Sequence, residues 1–229
     1  MPADSPGILK NGKRTMINVD KTYICHWTKL VERKKYILQH LAESGIIDLK
    51  WVEDYDKNNW CVEDIIKEYP RAFGIISNDN RKMRNAEISL ALKHCWIVKD
   101  VVSQNYKSAL ILEDDVLLHP DFVSLFNSFK NELPEDWDCC WVGSCCNIHA
   151  DIIPDKHVYI GNRSRCTHAF MISNKGAKKM LPLLSTLDAP ADHFYNRLIT
   201  EAKLNNYWFE PSLAEQHNAM FRTSIHTET

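Results

Sequence analysis

Residues 109–122 read ALILEDDVLLHPDF, so three consecutive acidic side chains, Glu113, Asp114 and Asp115, follow directly on an apolar run. Crowded like charges raise one another's pKa, so such a triplet persists only beside a cation or in water. Oxygen donors suit a hard divalent ion such as Mn²⁺ or Mg²⁺ better than zinc. Two readings follow: a solvated acidic turn leading into a helix, or a carboxylate cluster that holds a metal. The position of the triplet favours the second. The apolar run over 108–112 predicts a short central strand, and in open α/β sheets ligands gather outside the carboxyl ends of the strands.

The elements that must position this cluster can be read from the hydrophobic pattern. Strands are predicted over 22–27, 47–53, 137–144, 167–173 and 206–212. Helices are predicted over 29–45, 61–70 and 85–104, the last apolar around most of its circumference and so largely buried. Another helix, over 121–133, enters after His119-Pro120 with Asp121 as N-cap, and Ser173 is placed to cap the helix beginning at Asn174. Strands and helices alternate through the first half. That predicts an α/β fold, a three-layer sandwich with a mostly parallel central sheet flanked by helices. Residues 1–20, with Pro2, Pro6, Gly7 and Gly12, read as a flexible lead-in, and 21–229 as one domain.

Composition narrows the function. The 229 residues are 45% hydrophobic and 25% charged, enough for one large core. A net charge of −2 gives no basis for broad binding to nucleic acid or anionic membrane. The basic cluster Arg81-Lys82-Met83-Arg84 reads as a solvated turn before a helix. No stretch reaches the roughly 20 apolar residues of a membrane span, and the first residues lack the apolar core of a signal peptide, so a cytoplasmic location is expected. In a reducing compartment the adjacent pairs Cys139-Cys140 and Cys145-Cys146 are small buried hydrophobes. A structural zinc built from them with His149 is the lesser alternative. The sequon Asn162-Arg163-Ser164 has meaning only for a secreted chain.

Other metal-carboxylate chemistries lack their partners. There is no G-x-x-x-x-G-K-[ST] loop, no G-x-S-x-G elbow and no H-E-x-x-H, and Val116-Leu117-Leu118 follows the acidic residues where a haloacid-dehalogenase phosphatase would need D-x-D-G-[TV]. What remains is a nucleotide-sugar glycosyltransferase of the A-type fold. Breaking the anomeric C–O bond releases a nucleoside diphosphate, and a metal bridging its oxygens stabilises the developing charge.

At this point the chain resembles glycosyltransferase family 25, the lipopolysaccharide-biosynthesis and procollagen galactosyltransferase group. The matching stretches occur in order: YICHWTKLVERKKYI, AEISLALKH, ALILEDDVLLHPDF, WDCCWVG, THAFMISNKGAKKML, APADHF and FEPSLAEQ, over about residues 22–217. The resemblance implies a UDP-sugar donor, usually of galactose or glucose, with Mn²⁺ (or Mg²⁺). It also implies inverting transfer to a hydroxyl of a glycan or a hydroxylysine-bearing protein. Two places depart from the family pattern, His26-Trp27 at the end of the first strand and Lys93 before His94. Both lie where the donor nucleotide would bind, which leaves the donor's identity open.

Residue roles follow from that resemblance. Asp115 and Glu113 are the expected metal ligands, with His217 as a further ligand or a structural histidine. Asp114, Arg33 and His26 fall to the donor, although Arg33 on an amphipathic helix also suits a surface role. Asp192 is the general base, a helix N-cap, or both at once. His168 and Trp208, with Trp141 and Phe209, either line an acceptor pocket or pack in the core. A nucleotidyl or phosphoryl transferase on a similar sheet, and an inactive nucleotide-sugar-binding module, are the competing functions.

Overall fold

A computed structural model describes residues 15–57, 59–76, 80–145, 152–161 and 163–221. The chain runs β1 (Lys21–Cys25), α1 (Val31–Glu43), β2 (Leu49–Val52), α2 (Val62–Glu68), α3 (Asn85–Ser103), β3 (Ser108–Glu113), β4 (Val116–Leu118) and α4 (Phe122–Asn131). It continues through β5 (Cys139–Cys145), β6 (Val158–Ile160), β7 (Arg165–Ser173), α5 (Asn174–Met180), a 3₁₀ turn (Leu181–Thr186), α6 (Ala191–Glu201), β8 (Asn206–Phe209) and β9 (Ala214–Gln216). The N-terminal lead-in expected over 1–20 lies outside the described residues as far as residue 14.

Seven strands form one sheet in the order β2-β1-β3-β7-β5-β8-β6. Alternation along each strand divides its side chains between two cores. Tyr23, Ile111, Cys139 and Phe170 face α3, α5 and α6, whereas Ile24, Leu112, Cys140 and Met171 face α1 and α4. The expected three-layer α/β architecture is therefore present, and the adjacent cysteines 139 and 140 do point to opposite faces. The sheet is more mixed than expected. β1/β2, β1/β3 and β5/β8 pair in parallel, but β7 lies antiparallel between β3 and β5, and β6 antiparallel to β8. A strand covered on both faces is apolar throughout, so its sequence carries no mark of its direction.

Two helix starts differ in how they are capped. Ser173 caps α5 as expected, its hydroxyl accepting from the Gly176 N–H at 3.0 Å. Asp121 stands at the cap position of α4 but makes no side-chain cap bond. The Phe122 N–H is instead taken by the His119 carbonyl at 2.9 Å. A separate two-stranded ribbon, β4 with β9, was not apparent from sequence. It passes so close to β5 that a Cβ on Gly143 would stand 2.2 Å from the Ala214 carbonyl oxygen. Gly143→Ala should therefore cost about 1–3 kcal/mol through overpacking. A lowered denaturation midpoint with unchanged m-value would show it, and an unshifted midpoint would show that the ribbon moves freely.

Candidate active site

The parallel register of β1 on β3 pairs Cys25 with Glu113, so both strands end at the same level. His26 and the Asp114-Asp115 turn then project together beyond the sheet. α1 follows β1 closely and brings Arg33 over the same edge. Arg33 Nη1 donates to Asp114 Oδ1 at 2.9 Å and to Asp115 Oδ2 at 3.0 Å. His26 Nδ1 lies 2.7 Å from Asp114 Oδ2. All four residues are buried. Asp114, expected to reach the donor ribose or water, has one oxygen engaged by Arg33 and the other by His26.

The other two carboxylates are less well compensated. Burial pushes the Glu113 carboxyl up to about 8, and the negative charge of Asp115 adds to this, while a hydrogen bond from Thr167 Oγ1 at 2.6 Å opposes it. Burial also raises Asp115, against the pull of Arg33. Asp115 Oδ1 is buried and has no hydrogen-bond partner among the described residues. An orphaned carboxylate oxygen beside a second carboxylate held above its usual range is a donor set that fits a hard divalent cation. Among the described residues no three His, Cys, Asp or Glu side chains converge as a ready-made cage. Mg²⁺-type ions need none, because they take one or two carboxylates and complete their shell with phosphate and water.

A cleft opens from these carboxylates toward α3 and the segment after β2. Its far lobe has the opposite character: Trp27, Leu30, Leu90 and Ser89 stand beside Lys57 and Lys93. Lys57 Nζ is 3.9 Å from the centre of the Trp27 ring. Neither Lys57 nor its partner-bearing neighbour Asp56 carries a signal that sequence alone could read. Lys93 stands out in the sequence only as a departure from the family pattern.

Asp192 is the second residue of α6, where Pro190 rather than Asp192 is the N-cap. Its Oδ1 accepts from the His193 N–H at 2.8 Å and its Oδ2 from the Cys166 N–H at 3.3 Å. Its charge is among those that raise Glu113, so it faces the cluster from the α6 side. His217 is brought to the same edge by the β4–β9 ribbon, its N–H donating to the Asp115 carbonyl at 2.7 Å, while its ring packs edge-on against Tyr36 and Phe221.

The expected acceptor residues are placed elsewhere. His168 and Trp208 are each 3% exposed, and Trp141 and Phe209 each 1%. Trp208, Trp141 and Phe209 pack within the two cores, and His168 Nε2 donates to the Ala214 carbonyl at 3.1 Å. Their alternation along central strands, covered by helices on both faces, turns them inward. A second correction concerns cysteine. Cys139 and Cys140 are free and buried, but Cys145 is bonded to Cys166, because the β5/β7 pairing brings their Cα atoms to 6.0 Å. Cys146, His149 and Asn162 lie outside the described residues. The basic turn at 81–84 behaves as expected, with Arg81 paired to Glu87 at 2.7 and 2.8 Å. No helix among the described residues is long and apolar enough to cross a membrane.

The raised Glu113 predicts a specific pH dependence. A carboxyl whose folded pKa exceeds its unfolded value binds an extra proton in the native state, so its contribution is present below the unfolded pKa and lost as pH rises through the folded one. Stability of the metal-free protein should thus fall between pH 4.5 and about 8. Glu113→Gln should flatten that slope in denaturant titrations across the range. An unchanged slope would mean that Glu113 ionises normally.

Comparison with known proteins bears on residues 19–149, which match the model of glycosyltransferase family 25 (LPS biosynthesis protein). The chain is also 24% identical over 235 residues to the procollagen lysyl hydroxylase and glycosyltransferase of Acanthamoeba polyphaga mimivirus. That match takes in 90% of this chain and 26% of the relative, so the chain spans about a quarter of its length. Among solved structures, a putative glucose-1-phosphate thymidylyltransferase from Bacillus anthracis in complex with sucrose is 12% identical with a TM-score of 0.43, covering 92% of this chain and 98% of that one. Mouse xyloside xylosyltransferase 1, apo form, is likewise 12% identical with a TM-score of 0.35, covering 87% and 65%. With its acidic strand end, its pre-acidic helix and its first strand all inside the matched region, the chain belongs to glycosyltransferase family 25.

Proposed function

We propose that the chain is a metal-dependent inverting hexosyltransferase that moves galactose or glucose from a UDP-sugar to a hydroxyl of a glycan or of a hydroxylysine-type protein. The observation that carries this reading is the buried carboxylate cluster at the end of β3, with the orphaned Asp115 Oδ1 at the mouth of a cleft. The acceptor classes are suggested by the family's link to lipopolysaccharide biosynthesis and by the viral relative, a procollagen lysyl hydroxylase and glycosyltransferase.

Asp115 and Glu113 would hold Mn²⁺ or Mg²⁺, with His217 at the edge, and the ion would offset charge on the departing diphosphate. Arg33 and His26 hold Asp114 and so fix the turn that aims Asp115. In the transfer, the acceptor oxygen bonds the anomeric carbon while the bond from that carbon to the UDP oxygen breaks, inverting the configuration. Asp192 takes the acceptor's hydroxyl proton at a carboxylate oxygen. Two backbone N–H groups steady that carboxylate and leave lone pairs for the proton.

A screen of UDP-sugars with Mn²⁺, read by UDP release, tests the reaction class. Pyrophosphate as the product would point instead to nucleotidyl transfer. Asp192→Asn should lower kcat by about 10²–10⁴-fold, the usual range for loss of a general base, with UDP affinity unchanged. Near-normal turnover in a folded Asp192→Asn protein would remove Asp192 from the reaction. Asp115→Asn should abolish the dependence of UDP binding on Mn²⁺, as calorimetry with and without a chelator would reveal.

A further inference from the structure

Lys93 lies midway along α3 and is 3% exposed. Its ammonium donates to three acceptors: the Val52 carbonyl at 3.1 Å, the Asp54 carbonyl at 2.8 Å and Asp56 Oδ1 at 2.7 Å. All three belong to the end of β2 or the segment after it. Asp56 Oδ2 in turn accepts from the Thr28 N–H at 3.0 Å and from the Thr28 hydroxyl at 2.5 Å. Burial pushes the Asp56 carboxyl up, but the bonds from Lys93 and Thr28 outweigh it and hold the group below the usual carboxylate range. One buried ion pair therefore joins α3, the β2–α2 connection and the β1–α1 turn.

The residues next to those two anchor points are the ones that face the cleft. Trp27 precedes Thr28, Lys57 follows Asp56, and the two meet in the cation–π contact already described. A buried ion pair adds little net stability over apolar residues of the same volume, so its place on the buried face of α3 calls for another role. With the Lys57 ammonium lying over the Trp27 ring, the pair presents an aromatic surface and a cation together, a combination that suits a flat base joined to an anionic phosphate.

We infer that Lys93 is a positioning residue for the donor, pinning the segment after β2 so that Trp27 and Lys57 together form the face that receives the nucleotide. This rests on the UDP-sugar reading of the cleft. Lys93 touches no reacting atom; it acts through Trp27 and Lys57.

The test removes the pair as a unit, since Lys93→Met alone strands a buried carboxylate. In the double variant Lys93→Met/Asp56→Asn, both charges are gone while the Asn amide oxygen can still accept from Thr28. UDP binding by calorimetry, kcat and KM for the UDP-sugar, and thermal stability are compared with the wild-type protein. The dissociation constant for UDP and the KM should both rise about tenfold or more as preorganisation is lost, with kcat within about threefold of wild type. A folded double variant with wild-type UDP affinity and KM would overturn the inference, as would one in which kcat alone falls. Failure of the wild-type protein itself to bind UDP would instead remove the donor reading on which the inference stands.

Discussion

The guanidinium of Arg33 lies between Asp114 and Asp115, and the edge of the sheet is arranged around that contact. At an effective dielectric constant near 20, two unit charges 4 Å apart interact by about 4 kcal/mol. One guanidinium offsets roughly one such repulsion, and here three carboxylates share the end of a buried strand. Arg33 and His26 satisfy Asp114 fully and Asp115 by half. Among the described residues Glu113 has a hydroxyl donor, Thr167, and its carboxyl is pushed well above its usual range. The chain thus neutralises enough charge to fold and leaves a residual demand for positive charge at one defined place. Under the proposed function that demand is what a divalent ion would meet, and it sets the cluster apart from a solvated acidic turn.

Meeting even this partial compensation constrains much of the fold. Arg33 reaches the carboxylates only because α1 starts six residues after β1 ends and β1 pairs in register with β3. Asp115 is further held by the His217 N–H on its carbonyl, which requires the β4–β9 ribbon, and the ribbon requires Gly143 beneath it. The opposite lobe of the cleft uses the same device in miniature. There Lys93 and Asp56 form a second buried pair, but its charges cancel, so it fixes backbone and asks for nothing further. One pair holds chemistry open and the other holds shape closed.

These differences explain what could be read from the sequence. The acidic strand end, the long buried helix, the opposed faces of Cys139 and Cys140 and the cap at Ser173 are local, each set by residues within a few positions of one another. The antiparallel insertion of β7, the ribbon of β4 with β9 and the Cys145–Cys166 bond depend on partners 21 or more residues apart. No periodicity reports such pairing. Trp208 and His168 illustrate the same limit. Aromatic and imidazole side chains suit a sugar pocket or a core equally well, and only the helices covering both faces of the sheet decide for the core.

The family match adds a division of its own. Residues 19–149 contain β1, α1, α3, the acidic turn and all of β5, and therefore His26, Arg33, Lys93 and all three carboxylates. Thr167, Asp192 and His217 lie beyond it, on β7, α6 and the residue after β9. The lobe of the cleft lined by Trp27, Lys57 and Lys93 is thus built from the family-matched region, while the groups that meet it from the other side come from outside. Geometry joins the two halves: Thr167 donates to Glu113, the His217 N–H is held by Asp115, and the Cys166 N–H binds Asp192 from the end of the disulfide-linked β7. The role proposed for Asp192 therefore rests on its place at the start of α6, bound by the Cys166 N–H of β7, rather than on the matched stretch.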